Sequence, residues 1–311
     1  MKRIFVIFAL AATLVGCAKE DIVREAPRQA IGFGTPFVEN STRATDNTYG
    51  SVNKLTKFNV YGTVTGTAGT VNIYNGVEVT GTVGNADWSH DAQYNQYWIP
   101  GADYSFAAVV DADEVAQDGY NMPTALTYNT AGQKDLLFAT SSVENAVADQ
   151  ERVNFNFEHL LSKAQFTATS NAEGGYYHTI ANIKVANFET GTYTINGGTW
   201  AGTTTKDIEF GNVEEVTKDS GAKTNATQML LVPNAASFNV TFTVDLYKNG
   251  TKLGTETKTI PVTIKDAQDK VVGLQKGNSY NFTIACSVGN PIKFGVTYDP
   301  SWTTQPDIPI Q

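Results

Sequence analysis

Cysteine is almost missing from this chain: Cys17 and Cys286 are the two in 311 residues. If Cys17 is modified, Cys286 has no partner, so core burial rather than a disulfide framework must hold the fold. Cys286 lies in the apolar run 280–288 and is expected to be a small buried hydrophobe. Histidine is nearly as scarce. His90, His159 and His178 lie far apart, and each is expected to be structural rather than catalytic or metal-bound. There is no Gly-x-Ser-x-Gly, no phosphate-binding loop, no His-Glu-x-x-His and no cysteine pair at zinc spacing. Neither an enzyme nor a cofactor is expected. No run reaches 18 apolar residues, so no transmembrane helix is expected. Lys and Arg number 22 against 31 acidic residues, for a net charge of −9. Without clustered basic residues to meet phosphates, nucleic acid is excluded as a partner. Helix formers such as Leu, Glu and Lys are sparse as well.

What is abundant is Thr, Asn, Gly, Val, Tyr and Phe, the residues of strands and turns. Hydrophobic residues make up 41% and charged residues 17%, enough for a packed core. The N-terminus has its own pattern. Met1-Lys2-Arg3 is basic and Ile4 to Val15 is apolar, too short to span a bilayer and of the right length for a signal. Leu14-Val15-Gly16-Cys17 then matches a lipobox. Residues 1–16 are therefore expected to be a lipoprotein signal peptide, with Cys17 acylated and attachment by lipid alone. Loss of Lys2 and Arg3 leaves the remainder more acidic still. Lys19-Glu20-Asp21 resembles the Lys-plus-two-acids export tag of surface lipoproteins in Bacteroidota.

Ile31 to Ala44, IGFGTPFVENSTRA, forms one short strand and then a polar tail with a single basic residue, Arg43. Ile31, Phe33 and Phe37 are its candidate inward side chains, with Gly32 and Gly34 between them. Beyond it, alternation marks strand after strand. Phe58, Val60 and Gly62 share a face; so do Tyr104, Phe106, Ala108 and Val110; so do Val153, Phe155 and Phe157. Ala164, Phe166 and Ala168 follow, then Ile180 to Phe188 and Thr192 to Ile195 as two strands around Gly191. Phe238 to Leu246 is the strongest, ending at Asn249-Gly250. Tyr280 to Ile284 and Ile292 to Tyr298 are last. Gly66 to Gly69 predicts a turn, and Asn75-Gly76 and Asn249-Gly250 predict hairpins. Pro261 is tolerated if Thr251 to Thr263 is an exposed edge. About fifteen strands at ~8–12-residue spacing predict an all-β chain of sandwiches or barrels. A boundary near His159 splits it into 44–158 and 159–311, two β-sandwich domains in tandem. Asp111–Gln117 and Asp266–Val271 are the short helix candidates.

Taken in order, these residues resemble the fimbrillins, the pilins of type V fimbriae from Bacteroidales. The resemblance rests on the lipobox ending at Cys17, the strand Ile31–Phe37 followed by Thr42-Arg43-Ala44, and Tyr97-Trp98 with Tyr104-Ser105-Phe106. It rests also on Val153 to His159 leading into Lys163-Ala164, on Leu230-Leu231-Val232-Pro233, and on Leu274 to Tyr280. It implies transthyretin-like sandwiches in a lipoprotein precursor of the outer membrane, exported to the cell surface. It implies an Arg-specific protease that cuts at Arg43–Ala44, removing propeptide 17–43 with the first strand. Another fimbrial subunit then donates a strand to the vacated groove, and repetition builds a fimbrium that supports adhesion. The donor is implied to lie in the C-terminal region, where Ile292 to Tyr298 alternates; Thr303 to Gln311 offers only Ile308 and Ile310.

A strand-exchange reading also follows from physics alone. A sandwich lacking a strand exposes unpaired N–H and C=O groups beside an apolar groove, which an extended segment of another chain can fill. The alternative is a monomeric surface lipoprotein or tip adhesin binding glycan or host protein. Its platform would be Trp88, Tyr97 and Trp98, with Tyr94, though such clusters more often fill a core. Asp111, Asp113, Glu114 and Asp118 have calcium-type oxygens but lack the spacing of a calcium loop, and a solvated acidic loop is expected there.

Overall fold

The computed structural model describes residues 29–38, 55–82, 88–225, 227–234, 237–266 and 268–299. Cys17, Arg43, Ala44 and the segment 303–311 lie outside the described residues. The regular elements within them are strands and short 3-10 turns, and the fold is all-β.

In chain order the strands are β1 (Phe37–Val38), β2 (Lys57–Gly66), β3 (Gly69–Thr80), β4 (Asp103–Val110), β5 (Glu114–Gln117) and β6 (Pro123–Asn129). Then come β7 (Leu137–Val143), β8 (Asn156–His159), β9 (Ser162–Ser170), β10 (Tyr176–Thr194), β11 (Thr199–Val216) and β12 (Lys223–Thr224). The last are β13 (Met229–Leu231), β14 (Phe238–Lys248), β15 (Thr251–Val262), β16 (Ser279–Cys286) and β17 (Lys293–Asp299). One sheet has the order β1-β8-β7-β4-β2-β3, with β1 parallel to β8 at its edge. A second runs β15-β14-β10-β6-β5, with β11 on the other side of β10. The third runs β12-β9-β16-β17, and β13 also pairs with β9.

The second and third sheets face each other over Phe166, Phe210, Phe242, Phe282 and their neighbours. The C-terminal half is thus a sandwich. The first sheet is covered differently. Its inner residues Phe58, Val60, Phe106 and Ala108 pack against an irregular layer that includes Ile31, Phe33, Trp88, Trp98 and Val153. That layer is joined by single bridges rather than by full ladders.

Several local expectations change. Gly66–Gly69 closes the β2–β3 hairpin, but Asn75-Gly76 does not turn the chain. Gly76 has φ of 67° and sits where the register shifts between Val60/Val77 and Tyr61/Asn75, so the pair makes a β-bulge inside β3. Asn249 and Gly250, at φ of 49° and 80°, do form the two-residue turn from β14 to β15. Gly191 breaks nothing. β10 runs through it, and a Cβ there would lie 2.7 Å from Val232 Cγ1 and 3.0 Å from the Trp200 ring. Its glycine serves close packing. Neither helix candidate is helical: 114–117 is β5, and Asp266 Oδ1 accepts from the N–H groups of Gln268 and Lys270 in a turn closed by the Lys265–Val271 bridge. β15 is an edge strand, with Pro261 opposite Asn239.

The position of His159 is crossed by hydrogen bonding. β6, which precedes it, pairs with Thr190 to Thr194 of β10. β14 and β6 lie end to end along one edge of β10, because β11 occupies the opposite edge along both stretches. In the gap between them the buried Asn187 amide replaces a strand. Its Nδ2 donates to Val232 O at 3.0 Å and its Oδ1 accepts from Val232 N–H at 2.9 Å. An apolar cluster joins the halves, with Tyr61, Ala107 and Val109 from the outer face of the first sheet meeting Leu126, Leu161 and Val232. Trp200 Nε1 donates to Leu160 O at 2.9 Å, and Lys276 meets Glu158 at 2.5 Å.

Candidate functional site

The first described segment is built into the irregular layer of the N-terminal half. Residues 29–34 lie between 88–98, to which they run antiparallel, and 152–155, to which they run parallel. Ile31 N–H donates to Gln96 O at 2.8 Å, and Trp98 N–H donates to Gln29 O at 3.0 Å. On the other flank Gly34 N–H donates to Val153 O at 3.0 Å, Val153 N–H to Gly32 O at 2.9 Å and Phe37 N–H to Phe155 O at 2.9 Å. The segment therefore has backbone partners on both sides, as an interior strand does. Arg152 closes over it, with Nη1 donating to Phe33 O at 3.4 Å.

Its side chains enter the core. Ile31 and Phe33 are buried, and the Phe33 ring is ringed by others. It stacks on Phe155 and meets Phe58, Tyr74 and His90 edge-on, at centroid distances of 5.7–6.2 Å. The third plug is not Phe37, which is 58% exposed, but Val38, at 1%. The cause is a register slip. Phe33 pairs with Val153 and Phe37 with Asn156, so this segment uses four steps where its partner uses three. One extra residue reverses which face each side chain takes. Burial of Ile31, Phe33 and Val38 contributes roughly 1.5–3 kcal/mol each. An open cavity of about 380 Å³ lies beside the segment, lined in part by Ile31, Phe33, His90 and Arg152.

The proposed aromatic platform does not assemble on the surface. Trp88 and Trp98 are buried in the core, and only Tyr97 (48%) and Tyr94 lie exposed. Trp98 packs edge-on against Tyr104 at 4.7 Å. A two-ring apolar surface gains more from burial under a sheet than from facing water, and the first segment completes that cover.

The acidic loop does not converge on a point. Asp113 accepts from Asn129 N–H, Asp118 from the N–H groups of Tyr120 and Met122, and Glu114 belongs to β5. Burial raises the Asp111 carboxyl above its usual range. Among the described residues no group of three His, Cys, Asp or Glu is placed to hold a metal. His159 is buried against Asp135 at 2.9 Å, and His178 against Ser170 Oγ at 2.8 Å. Cys286 is a buried thiol, pushed up to about 12 by desolvation and so not a nucleophile at neutral pH.

A family profile described as fimbrillin-like matches residues 42–300. The chain belongs to the fimbrillin-like family. That membership sets the coarse function, a fimbrial protein. Solved structures agree on the fold. A fimbrial protein from Bacteroides vulgatus superposes with a TM-score of 0.58 at 15% identity, over 87% of this chain and 98% of that one. Two proteins carrying cell-adhesion names are similar. The one from Bacteroides uniformis gives 0.52 at 18% identity, over 89% and 98%, and that from Bacteroides ovatus 0.52 at 15%, over 88% and 97%. No curated protein matches the chain.

In this fimbrillin-like chain the sequence located the first segment and two of its plugs. It did not point to Val38, Arg152, Asn154 or His90. The run Val153 to Phe157 is recognisable as a strand, but nothing in it marks Arg152 and Asn154 as contacts of residues more than a hundred positions upstream.

Proposed function

We propose that this chain is the precursor of a fimbrial subunit that polymerises by strand replacement. Cys17 carries the lipid that holds it to the outer membrane. An Arg-specific protease cuts at Arg43–Ala44, residues 17–43 leave with the first strand, and a strand of another subunit enters the groove. The two halves, 44–158 and 159–311, stay together through the junction around Leu161 and Val232.

The observation that carries this reading is the seat of residues 29–38. They supply core side chains and are paired on both flanks. They also lie outside the family match, which begins at residue 42. A cut at Arg43–Ala44, just past the segment and two residues into that match, lets the segment leave and opens the groove, with Phe58, Phe155 and Trp88 bare and the carbonyls of Gln96 and Val153 unpaired. Such a surface drives association with an extended apolar strand. No catalytic step belongs to this role. The alternative, a monomeric adhesin gripping glycan through Trp88, Tyr97 and Trp98, loses its platform because both indoles are buried.

The test is N-terminal sequencing of the surface form of wild type and of Arg43→Ala. Wild type should begin at Ala44 and form polymers; Arg43→Ala should keep residues 17–43 and stay monomeric. Polymers with unchanged length in the variant would overturn the cleavage, and a wild-type chain that keeps Cys17 at its start would overturn the whole reading.

A further inference from the structure

Arginine occurs five times in the chain, at Arg3, Arg24, Arg28, Arg43 and Arg152. All but the last lie in the signal or in the piece that the proposed cut removes. From Ala44 onward lysine carries the basic charge everywhere except at Arg152. That single arginine stands in the wall of the groove. A lysine ammonium also donates to a carbonyl, so a clamp on Phe33 O does not by itself require arginine there.

The bond after it, Arg152–Val153, is held by the first segment. Val153 N–H donates to Gly32 O at 2.9 Å and Val153 O accepts from Gly34 N–H at 3.0 Å, so both backbone groups of that residue are tied to residues 32–34. The guanidinium is tied there too, through Nη1 to Phe33 O. The approach is close. A Cβ on Gly34 would collide with the Asn154 amide, and one on Gly32 would meet Arg152 Cγ at 3.5 Å. Among the described residues, the next ladder to anything but the first segment begins at Glu158 and His159, opposite Phe138 and Leu137 of β7. Upstream of the bond lies a surface turn. Gln150 N–H donates to Val147 O, and Val147, Asp149, Glu151 and Arg152 are exposed. An endoproteinase takes its substrate as an extended strand and needs the backbone on both sides of the bond free of other partners. Here the upstream side is already free, and the downstream side is occupied by the first segment.

We infer that Arg152–Val153 is a second cleavage site for an arginine-specific protease, closed while the first strand is seated and open in a subunit whose groove stands empty. This rests on the strand-replacement reading above. Once residues 17–43 leave, the stretch 149–156 loses its pairing partners, and the buried side chains of Val153 and Phe155 are left to hold it. Water then adds across the amide, leaving a carboxylate on Arg152 and an amine on Val153, and the chain is divided into 44–152 and 153–311. A strand arriving from another subunit pairs with Val153 again and closes the site. The second cut therefore falls on subunits that fail to assemble, whose open groove is an aggregation hazard.

The experiment digests the full chain with an arginine-specific endoproteinase in dilute solution and follows intact and native mass in time. Wild type should lose the residues up to Arg43 first and then divide at Arg152, whereas chains recovered as larger species should keep 44–311 whole. Arg43→Ala, which retains the first segment, should be cut at Arg152 at least about ten times more slowly. Arg152→Lys should abolish the second cut and leave the first unchanged. Cutting of Arg43→Ala at the wild-type rate would show that the first strand does not guard the bond. If the first segment departs and monomers still keep Arg152–Val153 intact, the second site is wrong and strand replacement stands. If the segment stays bound to the chain after the cut at Arg43, strand replacement itself fails.

Discussion

The ring of Phe33 lies on that of Phe155, with planes 18° apart and centroids 6.1 Å apart. The two belong to segments 122 positions apart, and the contact fixes the first strand to the wall of its groove. Phe33→Ala should therefore destabilise the uncut chain by about 3–5 kcal/mol through lost transfer energy and a cavity. The same substitution should leave the stability of the cut and assembled chain unchanged, because the residue is gone. Urea titration of both forms checks this; an uncut chain insensitive to Phe33→Ala would mean that the first strand is not part of the fold.

Trp98→Ala should also cost about 3–5 kcal/mol, as loss of a buried aromatic does. Trp98→Phe should cost much less. It keeps most of the ring contact with Tyr104 and removes an indole N–H that has no acceptor among the described residues. Thermal melts of the two variants decide it. A Trp98→Ala chain of normal stability that has lost binding on a glycan array would restore the surface-platform reading.

Asn187→Ala should destabilise by about 2–4 kcal/mol, since it leaves both the N–H and the C=O of Val232 buried without their partner. Its effect should appear first as faster amide exchange at Val232 and along the adjoining stretch of β10, where β14 stops and β6 begins. Unchanged exchange at Val232 would show that the amide does not bridge that gap.

Burial holds the His178 pKa below its ordinary value of 6.5, with Leu246 and Val216 as its cross-strand neighbours. Above 6.5 the ring is neutral folded and unfolded, and its contribution is complete. As pH falls below 6.5 the unfolded chain takes up a proton that the folded chain resists, so stability drops until the folded pKa is passed. His178→Gln should flatten this drop. Chemical denaturation from pH 7.5 to 5 measures it, and parallel slopes for wild type and variant would exclude His178 as a source.

Sequence alone determined the class. Alternating apolar residues such as Phe238, Val240, Phe242 and Val244 force strands, because only a period of two puts them all on one face. The scarcity of helix formers excluded the competing architecture. The turn at Asn249-Gly250 was equally plain, since two residues with positive φ are needed there. The same dipeptide at Asn75-Gly76 became a bulge, because tertiary pairing with Tyr61 continued past it. Chemistry that depends on local backbone was readable; which local option a neighbour selects was not.

The first segment shows both sides of this. Ile31, Phe33 and an apolar-glycine rhythm identified it as a strand meant for burial. Only the structure decided that Val38 rather than Phe37 follows Phe33 inward, because the extra residue exists only relative to a partner segment 152–156. Only the structure placed Asn154 above Gly34, a contact between chain segments that no window of sequence contains. Periodicity is a property of one strand and survives in the sequence; register and close approach are properties of two, and folding alone brings them together.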